Sequence, residues 1–219
     1  MEGTAAAAAP VGDFFARSRA RLSLTVPKGL DDPAAATVRG DLDLDPALWE
    51  RAEIKSMRPA SVLVGVVDRT EPTVLLTMRT ADLPNHAGQI AFPGGKIEPE
   101  DETPLAAAAR EAHEEIGLDR SLIDPIGYLD LYLTLSGFRI LPAVARIAPD
   151  YHLSLNTSEV SDAFEVPLDF LMTPANHQQL SRDWRGMTRH YFAMPYQDRY
   201  IWGVTAGILR NLYERIYGR

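Results

Sequence analysis

Hydrophobic and polar positions follow regular patterns from about residue 59 onward. Short runs rich in β-branched residues are separated by turn residues, which is the pattern of antiparallel hairpins. These runs predict three hairpins: 60–68 with 73–79, 126–135 with 138–147, and the two halves of 189–202. Residues 162–171 predict a short strand that leads into a turn of helix.

Helical periodicity is strongest in residues 104–116. Thr103 suits the N-cap of this helix and Gly117 suits its C-cap. Residues 13–24 predict a short amphipathic helix, and residues 203–217 predict a longer one that closes the chain. Because strands and helices mix without the alternation of a doubly wound sheet, we expect an α+β sandwich.

Composition divides the chain into three segments. Residues 1–12 are Ala-rich and of low complexity, and we expect them to be disordered. In residues 13–57 we expect an N-terminal helix and an extended arm packed on the core, because residues 25–52 contain much Pro, Gly and Asp. Residues 58–219 carry the regular patterns and are expected to form the main domain.

The charge balance and the absence of cysteine exclude several classes of function. The formal net charge is -8, so the chain lacks the dense basic footprint of a nucleic-acid surface. With no cysteines, disulfide scaffolds, zinc–thiolate sites and a thiol nucleophile are excluded. We find neither a basic secretory signal nor the roughly 18 continuous apolar residues of a membrane helix. We therefore expect a cytoplasmic protein that binds neither nucleic acid nor membrane.

The stretch "REAHEEIGL" (110–118) crowds glutamates onto the predicted helix of this acidic chain. The side expected to pack on a sheet is apolar and consists of Leu105, Ala108, Ala109, Ala112 and Ile116. Glu111, Glu114 and Glu115 fall on a separate arc of roughly 100°. Since like charges at these spacings repel, they form either a solvated face or a site for a hard cation such as Mg2+ or Mn2+.

A glycine pair precedes this helix in "AFPGGKIEPEDET" (91–103). Gly94 and Gly95 would let the backbone approach a ligand closely or present a carbonyl to a metal. The GxxxxGK[ST] spacing of a P-loop is absent, so the pair does not indicate that kind of phosphate site.

The segment from Gly95 to Leu118 resembles the Nudix box, Gx5Ex7REUxEExGU, in which U is a bulky aliphatic residue. The matching residues are Gly95, Glu102, Arg110, Glu111, Glu114, Glu115, Gly117 and Leu118. Ala112 is smaller than the usual U residue, and six residues instead of five separate Gly95 from Glu102. The partner of Arg110 is therefore Glu102, which we favour, or Asp101.

Residues 75–95 are similar to LLTxR[SA]x3Rx3Gx3FPGG, the signature of the coenzyme A (CoA) pyrophosphatase branch of the Nudix family. The matching residues are Leu75, Leu76, Thr77, Arg79, Gly88, Phe92, Pro93, Gly94 and Gly95. Thr80 stands where Ser or Ala is usual, and Pro84 where Arg is usual. Because residues 158–171 and 200–216 also look like this branch, the resemblance spans about residues 58–216. It implies a Nudix-type α/β/α sandwich with a mixed central sheet.

The resemblance implies a metal-dependent hydrolase that cleaves CoA or acyl-CoA to 4'-phosphopantetheine, or its acyl form, and adenosine 3',5'-bisphosphate. It implies Glu111, Glu114 and Glu115 as ligands of Mg2+ or Mn2+, with the Gly95 carbonyl as a fourth ligand. One of these glutamates is a candidate for the general base. Glu159 is either a further ligand or base, or a solvated loop residue.

Other residues have supporting roles in this interpretation. Arg110 is expected to point away from the ligand arc and to fix the loop through its acidic partner. Arg79 is either a phosphate contact or a surface ion pair, and Gly94 belongs with Gly95 to the close backbone approach. Phe92 and Trp202 are predicted as core residues rather than as stacking platforms for a base.

Two alternatives to CoA hydrolysis stay open. The first is another Nudix substrate, such as ADP-ribose, NADH or another nucleoside diphosphate derivative. The second is a ligand-sensing Nudix module without catalysis. A homodimer through the arm or the closing helix also stays open.

Overall fold

The computed structural model of the chain describes residues 13–32, 39–41, 43–45, 56–82, 86–184 and 187–218. The predicted disordered segment 1–12 and residue Pro84 lie outside these ranges. The described residues form an α+β fold with two sheets, which confirms the predicted class. None of the helices in these ranges is long and apolar enough to cross a membrane.

The elements are numbered in chain order. The strands are β1 (Arg39–Gly40), β2 (Arg58–Val67), β3 (Thr73–Arg79), β4 (Ile90–Ala91), β5 (Gly94–Lys96), β6 (Ile123–Tyr128), β7 (Tyr132–Leu133), β8 (Phe138–Ile147), β9 (Val160–Pro167), β10 (Gln178–Trp184), β11 (Met187–Tyr196) and β12 (Arg199–Trp202). The helices are α1 (Phe14–Arg21), α2 (Pro104–Ile116), α3 (Leu168–Leu171) and α4 (Val204–Tyr217). Short 3₁₀ turns lie at Lys28–Leu30, Arg120–Leu122 and Pro174–Asn176.

The main sheet is mixed and has the strand order β1-β7-β8-β2-β3-β4. Its centre is the parallel pair β2–β8, and β5, β6 and β9 pair antiparallel with β2, β8 and β3. Alternate residues of β2 face opposite layers, as expected for a strand. Leu63 and Val67 join the apolar cluster under α2, whereas Val64 and Val66 join the cluster that includes α4 residues. The fold is therefore the predicted three-layer sandwich.

The predicted hairpins are confirmed, but their strands separate. β2 and β3 pair only at Val66–Val74 and Val67–Thr73, because β2 then pairs with β5 and β3 with β9. In the second hairpin, β6 and β7 both pair with β8. β11 and β12 form the third, and β10, which the sequence pattern did not predict, completes a separate three-stranded sheet.

The predicted helix ends are confirmed for α2. The Thr103 hydroxyl accepts a hydrogen bond of 3.1 Å from the Ala106 N–H, and Gly117 adopts the left-handed conformation with φ 68°. An N-cap side chain and a C-terminal glycine satisfy backbone groups that the helix itself leaves unpaired. These caps fix where the last turn of α2 lies, and that turn carries the glutamates.

Two of its contacts show how the described part of the N-terminal arm packs on the main domain. At the first, α1 packs on α4, where the Arg21 guanidinium donates a hydrogen bond of 2.8 Å to the Gly218 carbonyl. At the second, β1 adds to the edge of the main sheet beside β7, and Arg39 forms an ion pair with Glu214 of α4.

Candidate active site

The glutamates of α2 meet the glycine pair of β5. Glu115 is buried, with 4% of its surface exposed, and its Oε2 accepts a hydrogen bond of 3.3 Å from the Gly94 N–H. Glu111 lies against Gly95, and the side chain of Glu114 is exposed at the helix surface. The glycine pair and the helix therefore form one structural unit.

Both glycines are required by close approach. A Cβ at Gly94 would come within 2.5 Å of the Ser61 carbonyl oxygen, and the φ of 152° also disfavours a side chain. A Cβ at Gly95 would lie 2.5 and 2.7 Å from the two carboxylate oxygens of Glu111. The motif "GG" thus leaves space for the strand backbone at the first position and for a carboxylate at the second.

The structure corrects the predicted position of Glu115. We expected it on an arc separate from the packing face, but the last turn of α2 is covered by the segment at 154–156. There, the Asn156 N–H donates to the Glu115 carbonyl at 2.8 Å, and the Ser154 N–H donates to the Ile116 carbonyl at 2.9 Å. The side chain itself is buried toward β5, where it accepts the Gly94 hydrogen bond, and helical periodicity alone does not predict this tertiary contact.

Burial dominates the electrostatics of these carboxylates. It raises the pKa of Glu115 to about 8, although the hydrogen bond from Gly94 acts to lower this pKa. The negative charges of Glu111 and Glu159 raise it further. Burial also raises the pKa of Glu111, although Arg110 opposes this shift. Carboxylates that are partly dehydrated and repel one another are costly to ionise. A nearby cation would offset that cost.

Arg110 corrects two predictions, its partner and its direction. Its guanidinium forms a two-pronged pair with Asp101, with Nε–Oδ1 and Nη2–Oδ2 distances of 3.1 Å, so the predicted partner Glu102 is wrong. The Glu98 N–H donates to Asp101 Oδ2 at 2.9 Å. This turn, which includes the extra residue of the box, places Asp101 and not Glu102 opposite the arginine.

The guanidinium also points toward the glutamates and not away from them. Arg110 Nη1 donates hydrogen bonds of 3.0 Å to Glu111 Oε1 and to Glu114 Oε2. Nη2 donates to the Lys96 carbonyl at 3.1 Å, which ties the helix to the end of β5. Arg110 therefore bridges the loop, the strand and two of the carboxylates.

Arg79 and Glu159 lie at the same edge of the main sheet. Arg79 ends β3 opposite Val160, and its positive charge lowers the proton affinity of Glu115. Its buried Nε has no hydrogen-bond partner among the described residues. Glu159 is exposed, and its carbonyl accepts a hydrogen bond of 3.0 Å from the Thr80 N–H. The structure thus brings both candidates near the helix glutamates.

The donor set fits a hard cation, although the side chains do not enclose one as they stand. Within the described ranges, no group of three carboxylate or imidazole side chains is arranged to coordinate a metal ion. The carboxylates of Glu111 and Glu114 instead accept hydrogen bonds from Arg110. The fit rests on chemistry: Glu111 is a partly buried oxygen donor beside Gly95, and Glu115 is a buried one beside Gly94. Oxygen donors of this kind are those that Mg2+ and Mn2+ prefer.

The comparison with known families agrees with this geometry. The NUDIX domain model matches residues 57–185. The chain belongs to the Nudix family. The matched range includes residues 95–118, the segment that resembles the Nudix box.

Relatives named Nudix hydrolases support the prediction of a hydrolase. The chain is 40% identical over 164 residues to a Klebsiella pneumoniae protein named "Uncharacterized Nudix hydrolase NudL", covering 75% of this chain and 85% of the relative. A Cronobacter sakazakii protein of the same name is 41% identical over 161 residues, covering 74% and 84%. Among solved structures, the M. smegmatis Nudix hydrolase RenU has a TM-score of 0.44 and 25% identity, covering 52% of this chain and 72% of RenU. The predicted enzyme class, a Nudix hydrolase, is confirmed.

Proposed function

We propose that this Nudix hydrolase cleaves the diphosphate of CoA or its acyl esters, giving 4'-phosphopantetheine, or its acyl form, and adenosine 3',5'-bisphosphate. The observation that carries the proposal is the position of Arg79. This arginine belongs to the CoA-type signature, and it ends its strand within electrostatic range of the box residue Glu115. A residue of the CoA-type signature therefore lies near a residue of the Nudix box.

In this proposal, Glu111, Glu114, Glu115 and the Gly95 carbonyl would hold Mg2+ or Mn2+. When bound, such ions neutralise the diphosphate and activate water for attack on phosphorus. Arg79 suits a phosphate oxygen, because a guanidinium presents several N–H donors in a fixed plane. Its Nε has no hydrogen-bond partner in the described part of the chain, which leaves such a donor available.

We propose Glu159 as the general base, which accepts the proton of the attacking water. Glu111 and Glu114 accept hydrogen bonds from Arg110, and Glu115 accepts one from Gly94. Glu159 is exposed at the edge, where its Oε1 accepts a solvent-exposed hydrogen bond of 3.4 Å from the Asn156 side chain. Water forms a new bond to one phosphorus, and the bond from that phosphorus to the bridging oxygen breaks. The bridging oxygen leaves with the other phosphate, and the proton passes to the carboxylate.

ADP-ribose is the second candidate substrate. Pro84 stands where the CoA-type signature has arginine, so one expected phosphate contact is missing from the sequence. ADP-ribose has no 3'-phosphate on its adenosine and needs fewer cationic contacts. The Nudix box would bind the metal ions and the diphosphate in the same way for CoA and for ADP-ribose.

Product identification separates the candidates. The purified chain is incubated with Mg2+ or Mn2+ and equal concentrations of CoA and ADP-ribose, and the nucleotides are resolved by chromatography. We expect adenosine 3',5'-bisphosphate from CoA with a kcat/KM at least about tenfold above that for AMP from ADP-ribose. Faster AMP release would favour the second candidate. If neither product forms while nucleotides still bind, the chain is a ligand-sensing module.

A further inference from the structure

In the described part of the chain, two residues other than glycine have a positive φ: His86 with 58° and Gln197 with 52°. This backbone conformation is uncommon for a residue that carries a Cβ. Gln197 begins the two-residue turn between Tyr196 and Arg199, and the favoured turns of this length need a positive φ. The conformation of Gln197 therefore follows from its turn, whereas that of His86 needs another explanation.

His86 begins a four-residue turn that does not itself require the positive φ. The Gln89 N–H donates a hydrogen bond of 3.2 Å to the His86 carbonyl and closes the turn. Gly88, the third residue, has the positive φ of 66° that a type II turn needs at that position. The first residue of such a turn has no such requirement. Strained residues of this kind are found most often at binding and catalytic sites.

The His86 side chain is exposed and is oriented through one ring nitrogen. Its Nδ1 lies 2.9 Å from Gln89 Oε1. Because this amide oxygen only accepts hydrogen bonds, the pairing assigns a proton to Nδ1. The second ring nitrogen, Nε2, is then the one that can meet a ligand.

Backbone hydrogen bonds join this turn to the edge of the sheet at which the candidate phosphate contact lies. The Arg79 N–H donates to the Gln89 carbonyl at 3.0 Å, and the Gly88 N–H donates to the Thr80 carbonyl at 3.3 Å. The Thr80 N–H in turn donates to the Glu159 carbonyl at 3.0 Å. The turn, the end of β3 and the Glu159 segment are therefore direct neighbours.

The strand register also places the side chains of Arg79 and Gln89 on the side of the sheet that faces α2. The antiparallel β3–β4 register continues to these two residues, and residues opposed in this way project from the same face. Leu75, four residues before Arg79 in β3, packs in the apolar cluster under α2, and alternation puts Arg79 on that side too. The same side carries Glu115, whose pKa the Arg79 charge lowers. Gln89 thus connects His86 to the side that carries the candidate active site.

We propose that His86 is a further substrate-binding residue, whose Nε2 donates a hydrogen bond to a phosphate oxygen of the diphosphate beside Arg79, and that Gln89 positions its ring. The doubly protonated ring has an N–H at both nitrogens, so Nδ1 can stay bonded to Gln89 while Nε2 binds the anion. The proposal rests on the proposed function, because it adds a contact to the diphosphate that the Nudix box is proposed to hydrolyse.

Steady-state hydrolysis and thermal unfolding of matched glycine variants test the role of His86. His86→Gly and Gln197→Gly both relieve a positive φ, so each should keep or raise the melting temperature. We expect His86→Gly to raise KM for the diphosphate substrate by about tenfold, with kcat within about threefold of the wild type, because a contact to bound substrate is lost. Gln197→Gly is the control and should leave both constants unchanged.

His86→Asn provides a second variant in which the positive φ stays occupied by a residue type that tolerates it. It lacks the imidazole Nε2, so we expect a similar rise in KM. An unchanged KM in folded His86→Gly and His86→Asn would overturn the proposal. So would a loss confined to kcat, or an equal rise of KM in Gln197→Gly.

A double-mutant cycle tests whether Gln89 acts through His86. Gln89→Met keeps the length of the side chain and removes the amide acceptor. We expect it to raise KM by about threefold in the wild type and to have no effect in the His86→Gly background, because residues that act through one contact are not additive. Equal effects in the two backgrounds would contradict the positioning role of Gln89.

Assays with CoA and ADP-ribose in parallel separate this proposal from the proposed function. A chain that cleaves ADP-ribose and not CoA would contradict the proposed function. The same variants measured with ADP-ribose would still decide the role of His86, since both substrates present a diphosphate. CoA cleavage with an unchanged KM in the His86 variants would leave the proposed function standing and overturn the role of His86.

Discussion

The Glu111 carboxylate occupies the space that a side chain at Gly95 would fill. This relationship joins the two halves of the Nudix box, because the strand presents a bare backbone to the carboxylate carried by the helix. Gly94 strengthens the contact, since its N–H donates to Glu115 one turn farther along the helix. The spacing of the box therefore has a direct steric reason in this chain.

Replacing Gly95 with alanine should damage catalysis more than folding. The new Cβ would displace Glu111, and a shift of about 1 Å at a reacting centre can cost about 100-fold in rate. We expect kcat/KM to fall by about that factor in steady-state assays. Gly137→Ala is the matched control: its Cβ meets open space, and its φ of 87° should lower the melting temperature while kcat/KM stays within about threefold. Equal losses of activity in the two variants would contradict this account.

Asp101, and not Glu102, should determine the stability of the box loop. The side chain of Asp101 is 7% exposed, and hydrogen bonds from Arg110 hold its pKa below the usual range. Asp101→Asn should lower the free energy of unfolding by about 1–3 kcal/mol in urea titrations, since it weakens a charged hydrogen-bonded pair. The exposed Glu102→Gln should change it by no more than about 0.5 kcal/mol. A larger loss of stability in Glu102→Gln than in Asp101→Asn would instead support Glu102 as the partner of Arg110.

Glu115→Gln should make the metal-free protein more stable and remove its response to metal. The substitution relieves a buried carboxylate that is repelled by Glu111, and a ligand that binds only the folded state raises its stability. Thermal unfolding should show a higher melting temperature for the variant in chelator. Millimolar Mg2+ should stabilise the wild type by several degrees and the variant hardly at all. An equal Mg2+ shift in both proteins would exclude Glu115 as a ligand.

Glu165 should make stability depend on acid pH at a place outside the active site. Burial opposes its ionisation, but hydrogen bonds from Arg69, Thr73 and Tyr151 outweigh this and lower the pKa of Glu165 to about 2. The unfolded chain then binds the proton more tightly than the folded one. The stabilising contribution is therefore complete above the ordinary value of 4.5 and is lost as the pH falls toward 2.

Unfolding free energies measured between pH 7 and pH 2 test this expectation. Glu165→Gln should be less stable by about 1 kcal/mol at pH 7 and should show a flatter pH dependence below pH 4.5. Glu71→Gln, an exposed substitution at the nearby turn, is the control and should follow the wild-type curve. If the unfolding free energy of Glu165→Gln changed with pH in parallel with that of the wild type, Glu165 would not be a source of the acid dependence.

Local rules were sufficient for the elements with strong periodicity or caps. α2 begins and ends where Thr103 and Gly117 predict, because capping is decided within a few residues. β10 and β5 could not be predicted in this way. Gln178–Trp184 is mostly polar and is a strand because it pairs with β11, and Gly94–Lys96 contains two glycines, which strands disfavour, and pairs with β2.

The site residues divide along the same line. Motif spacing identified Glu111, Glu114 and Glu115. The structure places Glu111 against Gly95 and Glu115 against Gly94, and Arg110 joins Glu114 to Glu111. Motif spacing allowed two acidic residues as the partner of Arg110. In the structure the partner is Asp101, which a turn beginning at Glu98 places opposite the arginine.

The burial of Glu115 and the partial exposure of Trp202 depend on contacts made by distant segments. Such contacts have no signature in the local sequence. The prediction that Trp202 is a core residue is therefore wrong, whereas Phe92 is buried as predicted.

Cleavage of CoA in the presence and absence of divalent metal tests the central claim most directly. The purified chain and its Glu115→Gln variant are incubated with CoA, and both products are quantified by chromatography. The proposed function predicts equal amounts of 4'-phosphopantetheine and adenosine 3',5'-bisphosphate with Mg2+ or Mn2+, none in chelator, and a rate about 100-fold lower in the variant. Intact CoA after incubation with metal, or cleavage that the variant and the chelator leave unchanged, would contradict it.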